Sequence, residues 1–159
     1  MRRTGVLFVC LGNICRSPVA EGVFRHKVMA AGLESRIHID SAGTGTWHAG
    51  KPPDPRTIRT AAARGFDVST LRARQVSATD LLQFDHVLAM DRSNHDALLR
   101  LSPPAHRHKI ALFMEYAPHT GFREVPDPYY GDDSDFEQVL DLVEAAADGL
   151  LARLKGQLS

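Results

Sequence analysis

The chain has 159 residues, 43% hydrophobic and 24% charged, with 19 Lys and Arg against 19 Asp and Glu. A chain of about 150 residues buries roughly 68–70% of its unfolded surface, so a single domain over residues 1–159 is expected. Zero formal charge gives neither the broad basic field of a nucleic-acid binder nor an acidic excess.

Val6-Leu7-Phe8-Val9-Cys10 opens the chain as a short apolar run of strand length, without polar alternation, as in a parallel strand covered on both faces. After a small-residue loop, Ser17 is placed to cap a helix with Pro18 at its first position, and Ala20, Val23, Phe24, Val28 and Ala31 recur at helical spacing until Gly32 stops it. Residues 36–41 read as a second strand. Asp54-Pro55 then opens a helix carrying Ile58, Ala61 and Ala62 before Gly65. Residues 84–90 and 109–114 read as further buried strands, separated by a helix with Leu98, Leu99 and Leu101. A last helix is expected from a capping box formed by Ser134 and Glu137, with an apolar stripe running from Phe136 to Leu154. This alternation predicts an α/β fold: a single-domain three-layer sandwich with a central four-stranded parallel sheet, helices on both faces and right-handed crossovers. The longest apolar run, residues 6–11, is far shorter than the ~20 residues that cross a bilayer, and no signal-peptide core follows Arg2 and Arg3. A cytoplasmic protein is expected, with export lacking a signal peptide left open.

In such folds ligands sit beyond the carboxyl ends of the strands, which directs attention to residues 10–17, 42–55 and 125–133. Cys10 and Cys15, the only cysteines, lie five apart and cannot staple distant segments, so a disulfide scaffold is excluded. They are either two small buried hydrophobes or reactive or metal-binding thiols. The loop Cys10-Leu11-Gly12-Asn13-Ile14-Cys15-Arg16-Ser17 has the layout of an anion cradle. Gly12 is expected to free the backbone, successive amides can turn inward, a helix N-terminus follows, and Arg16 offers a planar fork for two phosphate oxygens. The same surroundings favour a thiolate at Cys10, a nucleophile beneath a bound phosphoryl group. Asp127, between Pro126 and Pro128, is the candidate acid, although spacing alone equally allows a turn aspartate.

Val9-Cys10-Leu11-Gly12-Asn13-Ile14-Cys15-Arg16-Ser17-Pro18 with Glu21 resembles the signature of low-molecular-weight protein-tyrosine phosphatases. Asp40-Ser41-Ala42-Gly43-Thr44, Ala73-Arg74-Gln75-Val76, Met90-Asp91 with Asn94, and Asp127-Pro128-Tyr129-Tyr130-Gly131 with Asp135-Phe136 are similar to that family's other landmarks, in the same order. The resemblance implies hydrolysis of phosphotyrosine through a phosphocysteine on Cys10, with Arg16 clamping phosphate and Asp127 as general acid and then base. It further implies that Leu11, Gly12, Asn13, Ile14, Cys15 and Ser17 complete the phosphate-binding loop. Ser17 would donate to the Cys10 sulfur, and Asn13 would hold the loop through Ser41. Cys15 would form a protective disulfide with Cys10 under oxidant. Trp47, Tyr129 and Tyr130 would flank the phenyl ring, although Trp47 also reads as a plain loop aromatic.

One departure stands out: Leu71 precedes Arg72-Ala73-Arg74-Gln75 where many relatives have His, which removes a polar support of the loop or requires its replacement. The eight histidines show no metal-ligand spacing tied to the cysteines, and no cofactor or metal is expected. Expected partners are phosphotyrosine-containing proteins or peptides, with inorganic phosphate as product, no nucleic acid and no membrane, and the chain itself is expected to be a monomer or weak dimer. Arsenate reduction on this scaffold would need cysteines beyond Cys10 and Cys15. Arginine-phosphate hydrolysis by relatives typically has Thr at the position of Ile14. A catalytically silent phosphate-binding module is the reading from a different class, and nucleotide binding lacks its glycine motifs.

Overall fold

Val6, Leu7, Phe8 and Val9 have no exposed surface, and the reason is topological. In the computed structural model, which describes residues 2–158, four strands form one sheet: β1 (Thr4–Cys10), β2 (Ile37–Gly43), β3 (His86–Ala89) and β4 (Ile110–Leu112). The order is β2-β1-β3-β4 and every pairing is parallel. With β1 internal, its side chains alternate between two buried faces, so apolar residues are required at consecutive positions.

Five helices cover the sheet: α1 (Arg16–Ala30), α2 (Pro55–Ala63), α3 (Ala78–Gln83), α4 (Arg92–Leu101) and α5 (Asp133–Leu158). On one face Val6, Phe8 and Cys10 meet α1 and α5, with Phe8 edge-on to Phe24 and Phe113 at 5.7 and 5.0 Å between ring centroids. On the other, Leu7 and Val9 pack with Leu81 of α3 and Leu98 of α4. The expected α/β sandwich is what forms. No helix of the described residues is long and apolar enough to cross a membrane.

Helix ends follow local chemistry with some departures from expectation. Gly32, at φ 72°, ends α1 in a Schellman turn, with Leu33 N donating to Val28 O and Gly32 N to Met29 O. Asp54 caps α2 by accepting from Arg56 N at 2.9 Å, and Pro55 follows it. The expected cap at Ser17 is not made: α1 begins at Arg16, and Ser17 lies within it facing the sulfur of Cys10. The box at the start of α5 uses Asp132 and Asp135 rather than Ser134 and Glu137; Asp132 accepts from Ser134 N at 3.0 Å and Asp135 from Asp132 N at 2.9 Å. Helix α3 carries too few apolar residues for its period to be read. Strand β4 is shorter than expected because the Glu115 carboxylate takes the amide of Leu112 at 3.0 Å and opens a 3₁₀ turn over Phe113–Tyr116.

Strand order reverses at β1, whose neighbours β2 and β3 lead away in opposite directions. The loop between β1 and α1 therefore opens into the crevice at the carboxyl edge, beside segments 43–54 and 125–131.

Candidate active site

Residues 10–17 form a tight loop whose carbonyls are spent on neighbouring segments. Cys10 O accepts from Thr44 N, Leu11 O from Gly45 N, and Ile14 O from Asp54 N, at 2.8–2.9 Å. Among the described residues, the amides of Gly12, Ile14, Cys15 and Arg16 make no corresponding bond to a protein acceptor. Outward carbonyls with unspent amides at a helix start leave a local positive field.

The conformational demand in this loop falls on Asn13 rather than Gly12. Asn13 has φ 56°, the single positive value outside glycine among the described residues. Asparagine tolerates that region better than most residues, yet it still costs about 1 kcal/mol. Three hydrogen bonds offset this. Asn13 Oδ1 accepts from Arg74 N at 3.0 Å, which fixes the amide orientation, and Nδ2 donates to Ser17 Oγ at 2.8 Å and Ser41 Oγ at 3.0 Å. Ser41 Oγ in turn donates to Glu21 Oε1 at 2.7 Å, and Glu21 Oε2 holds Arg25 at 2.6 Å. A Cβ at position 12 would meet the His48 ring at 3.0 Å, a close contact with a side chain rather than with backbone. Leu71 packs its half-buried side chain against the core, and the polar support of the loop comes from Ser41, Glu21 and the Arg74 amide.

The Cys10 sulfur is buried, with Asn13 N at 3.2 Å and Ser17 Oγ at 3.0 Å. Because Ser17 Oγ already accepts from Asn13, its own proton is free to point at sulfur, the nearer acceptor compared with Ala42 O at 3.4 Å. Cys15 differs. Burial, ahead of any neighbour, pushes its thiol up to about 12, so it stays protonated. Both cysteines are free thiols.

Arg16, almost fully buried, is held by residues far away in sequence. Nη1 donates to Asp91 Oδ2 at 2.7 Å and to Val125 O at 2.9 Å, and Nη2 lies 3.7 Å from Asp127 Oδ2. Burial alone would lower the guanidinium pKa, but the Cys10 sulfur and the Asp91 and Asp127 carboxylates raise it above its ordinary value. Asp91 also caps α4, Oδ1 accepting from Asn94 N at 2.8 Å, so its two oxygens do separate jobs.

Asp127 is 45% exposed, its Oδ1 accepting from Tyr129 N at 3.1 Å. Its loop is stapled by Arg56, which donates to Tyr129 O at 2.9 Å and lies over the Phe136 ring at 4.6 Å. The same guanidinium grips Asp54 with Nε and Nη2, and that bond holds the Asp54 carboxyl below the usual carboxylate range.

These groups surround a cleft of about 410 Å³ that reaches down to Cys10, Leu11, Gly12, Ile14, Cys15 and Arg16 and rises past Asp127 to Trp47, His48, Tyr129 and Tyr130. Every residue expected at the loop or the pocket wall lines this cleft, apart from Asn13, Ser17 and Ser41, which support it from behind. Trp47 is 66% exposed and its indole covers Gly45; Tyr130 is 96% exposed and stands edge-on to Tyr129. Sequence reasoning assigned no part to Asp91, Arg56 or His48. Asp91 stood in a quoted landmark, but nothing local ties it to an arginine 75 residues earlier. Among the described residues no cluster of His, Cys, Asp and Glu is arranged to hold a metal ion.

A sequence-family model described as low molecular weight phosphotyrosine protein phosphatase matches residues 5–159. The low molecular weight phosphotyrosine protein phosphatase of Schizosaccharomyces pombe is 51% identical over 132 residues, covering 82% of this chain and 84% of the relative. The low molecular weight protein-tyrosine-phosphatase of Streptomyces coelicolor is 46% identical over 156 residues, covering 96% and 94%. A crystal structure of the protein tyrosine phosphatase of Entamoeba histolytica, with Hepes in its active site, superposes with a TM-score of 0.94 at 36% identity, covering 98% of this chain and 99% of that one.

Proposed function

The chain belongs to the low molecular weight phosphotyrosine protein phosphatase family, and on that premise we propose that it hydrolyses phosphotyrosine in proteins or peptides through a phosphocysteine on Cys10. The observation that carries this reading is a buried sulfur ringed by hydrogen-bond donors, with a clamped guanidinium and a half-exposed carboxylate on one cleft.

A phosphate dianion seated on the free amides of the loop and on Arg16 meets the Cys10 thiolate from below. Sulfur attacks phosphorus, the bond from phosphorus to the phenolic oxygen breaks, and protonated Asp127 gives its proton to the leaving oxygen. Asp127, now ionised, takes a proton from a water that attacks phosphorus. The P–S bond breaks, and inorganic phosphate leaves. Sulfur departs as a thiolate into hydrogen bonds from Asn13 N and the Ser17 hydroxyl, which stabilise it in both half-reactions. Partial exposure of Asp127 supports this double role, because water has a path to it. Trp47, Tyr129 and Tyr130 give the cleft aromatic walls that suit a phenyl ring.

The chemistry needs no metal or cofactor, so turnover should be insensitive to chelator. A panel of phosphotyrosine, phosphoserine, phosphoarginine and arsenate tests the assignment: turnover is expected on phosphotyrosine peptides and p-nitrophenyl phosphate. Cys10→Ser should abolish it. Asp127→Ala should lower kcat roughly 10²–10⁴-fold on phenyl phosphate and less on esters of acidic phenols, which leave without a proton. Binding of phosphotyrosine peptides without turnover would instead identify a silent binding module, and preference for phosphoarginine would reassign the substrate.

A further inference from the structure

Beside the cleft of Cys10 lies a second depression, of about 510 Å³, and the two share Ile14, His48 and Tyr129 as a common wall. Its other apolar surface comes from Pro52, Pro53, Pro55 and Ile58. Three prolines in four residues fix the backbone, so an occupant meets a preformed surface and little ordering cost. The segment is pinned at both ends: Lys51 O accepts from Ala73 N at 2.8 Å, and Asp54 N donates to Ile14 O at 2.8 Å.

The charges around this groove are unequal. Asp54 spends both carboxylate oxygens on Arg56 and is nearly buried, so it presents little negative charge outward. Lys51 is exposed and its ammonium makes no ion pair among the described residues. Arg59 adds a second cation, paired only at the surface with Asp133 at 2.9 Å. The chain carries no net charge, so selection of acidic substrates has to come from such local cations.

We propose that this groove is a subsite for the segment of substrate next to phosphotyrosine, taking one apolar side chain, with an acidic residue beside it to pair with Lys51. The proposal rests on the phosphatase reading of the Cys10 cleft. A phosphotyrosine filling that cleft leaves its backbone at the rim, and an extended chain advances about 3.3–3.6 Å per residue, so a position roughly one to three residues away reaches across the shared wall. The occupant is thus part of the same chain as the phosphotyrosine.

The test uses the whole protein and four phosphotyrosine peptides of equal length whose flanks are apolar plus acidic, apolar alone, acidic alone, or Gly and Ser. Wild type should favour the first over the last by roughly tenfold in kcat/KM, the difference lying mainly in KM. Lys51→Glu should remove the acidic share, about threefold, while turnover of p-nitrophenyl phosphate, which does not reach the groove, stays within about twofold of wild type. The same four peptides titrated against Cys10→Ser should rank identically by Kd. Four equal Kd and kcat/KM values overturn the subsite and leave the phosphatase reading standing. A loss on p-nitrophenyl phosphate as large as that on the peptides overturns the part given to Lys51. No turnover on any substrate by wild type sinks the phosphatase reading, and the Kd ranking then decides the subsite alone.

Discussion

Asp91→Asn isolates the grip on Arg16 with the least change of shape. In the native fold one oxygen of Asp91 caps α4 at Asn94 N and the other holds Arg16 Nη1 at 2.7 Å. An asparagine that keeps its oxygen on Asn94 N turns an amide NH₂ toward Arg16, donor against donor, and the flipped amide gives up the cap. A lost cap costs about 1 kcal/mol. An uncompensated buried charge costs about 3–5 kcal/mol, here reduced because Val125 O and Asp127 still face the guanidinium. A net loss of about 3 kcal/mol is expected, which at roughly 2–4 °C per kcal/mol for a domain of this size lowers Tm by about 6–12 °C. Turnover should fall as well, by roughly 10–100-fold in kcat on p-nitrophenyl phosphate, because a guanidinium free to swing no longer meets the phosphoryl oxygens in register. Thermal melts followed by circular dichroism, alongside steady-state kinetics, read both effects. An unchanged Tm with unchanged kcat would refute the argument that Asp91 holds Arg16. A lower Tm with wild-type kcat would show that Asp91 matters only as a cap.

Two further predictions probe the loop itself. Gly43 pairs with Cys10 across the sheet, and a Cβ there would lie 2.8 Å from Leu11 O and 3.1 Å from Asn13 N, both backbone atoms that cannot swing aside. Gly43→Ala should therefore lower kcat/KM about 100-fold or more with the far-ultraviolet spectrum preserved, and near-normal turnover would disprove the tight approach. For Cys15 the sign follows from its thiol being pushed up to about 12, against about 8.5 for a thiol in the unfolded chain. Between those values the native state keeps a proton that the unfolded chain releases, so the contribution is complete below about pH 8.5 and is lost as pH rises toward 12. Urea melts at pH 7 and 10 should show wild type losing about 2 kcal/mol more than Cys15→Ala over that interval, and parallel losses would contradict it.

Much of this molecule is legible from local pattern. Periodicity and turn chemistry placed β1, the helix after it, Gly32 at its end, Asp54-Pro55 at the start of α2 and the long apolar stripe of α5, because each depends on residues within a few positions of one another. The loop of residues 10–17 was visible for the same reason. Its internal division of labour was not: glycine looked like the conformational pivot, yet Asn13 takes the positive φ because Ser17, Ser41 and the Arg74 amide converge on its side chain and make that conformation worth holding. Ser17 looked like a cap, but helix α1 starts at Arg16, two residues before the Pro18 that such a cap implies, and turns the Ser17 hydroxyl to the sulfur. Asp91 and Val125 reach Arg16, and Arg56 reaches the Asp127 loop, only because the parallel sheet carries the carboxyl ends of its four strands to one edge and folds the segments after them over it. Sequence settles what each short segment tends to be and which reactive groups are present. Which of those groups meet is decided by the packing of the layers, since the pull on Arg16 of the Asp91 carboxylate, 75 residues away, and of the Val125 carbonyl, 109 residues away, acts only once the core has brought them within hydrogen-bond distance.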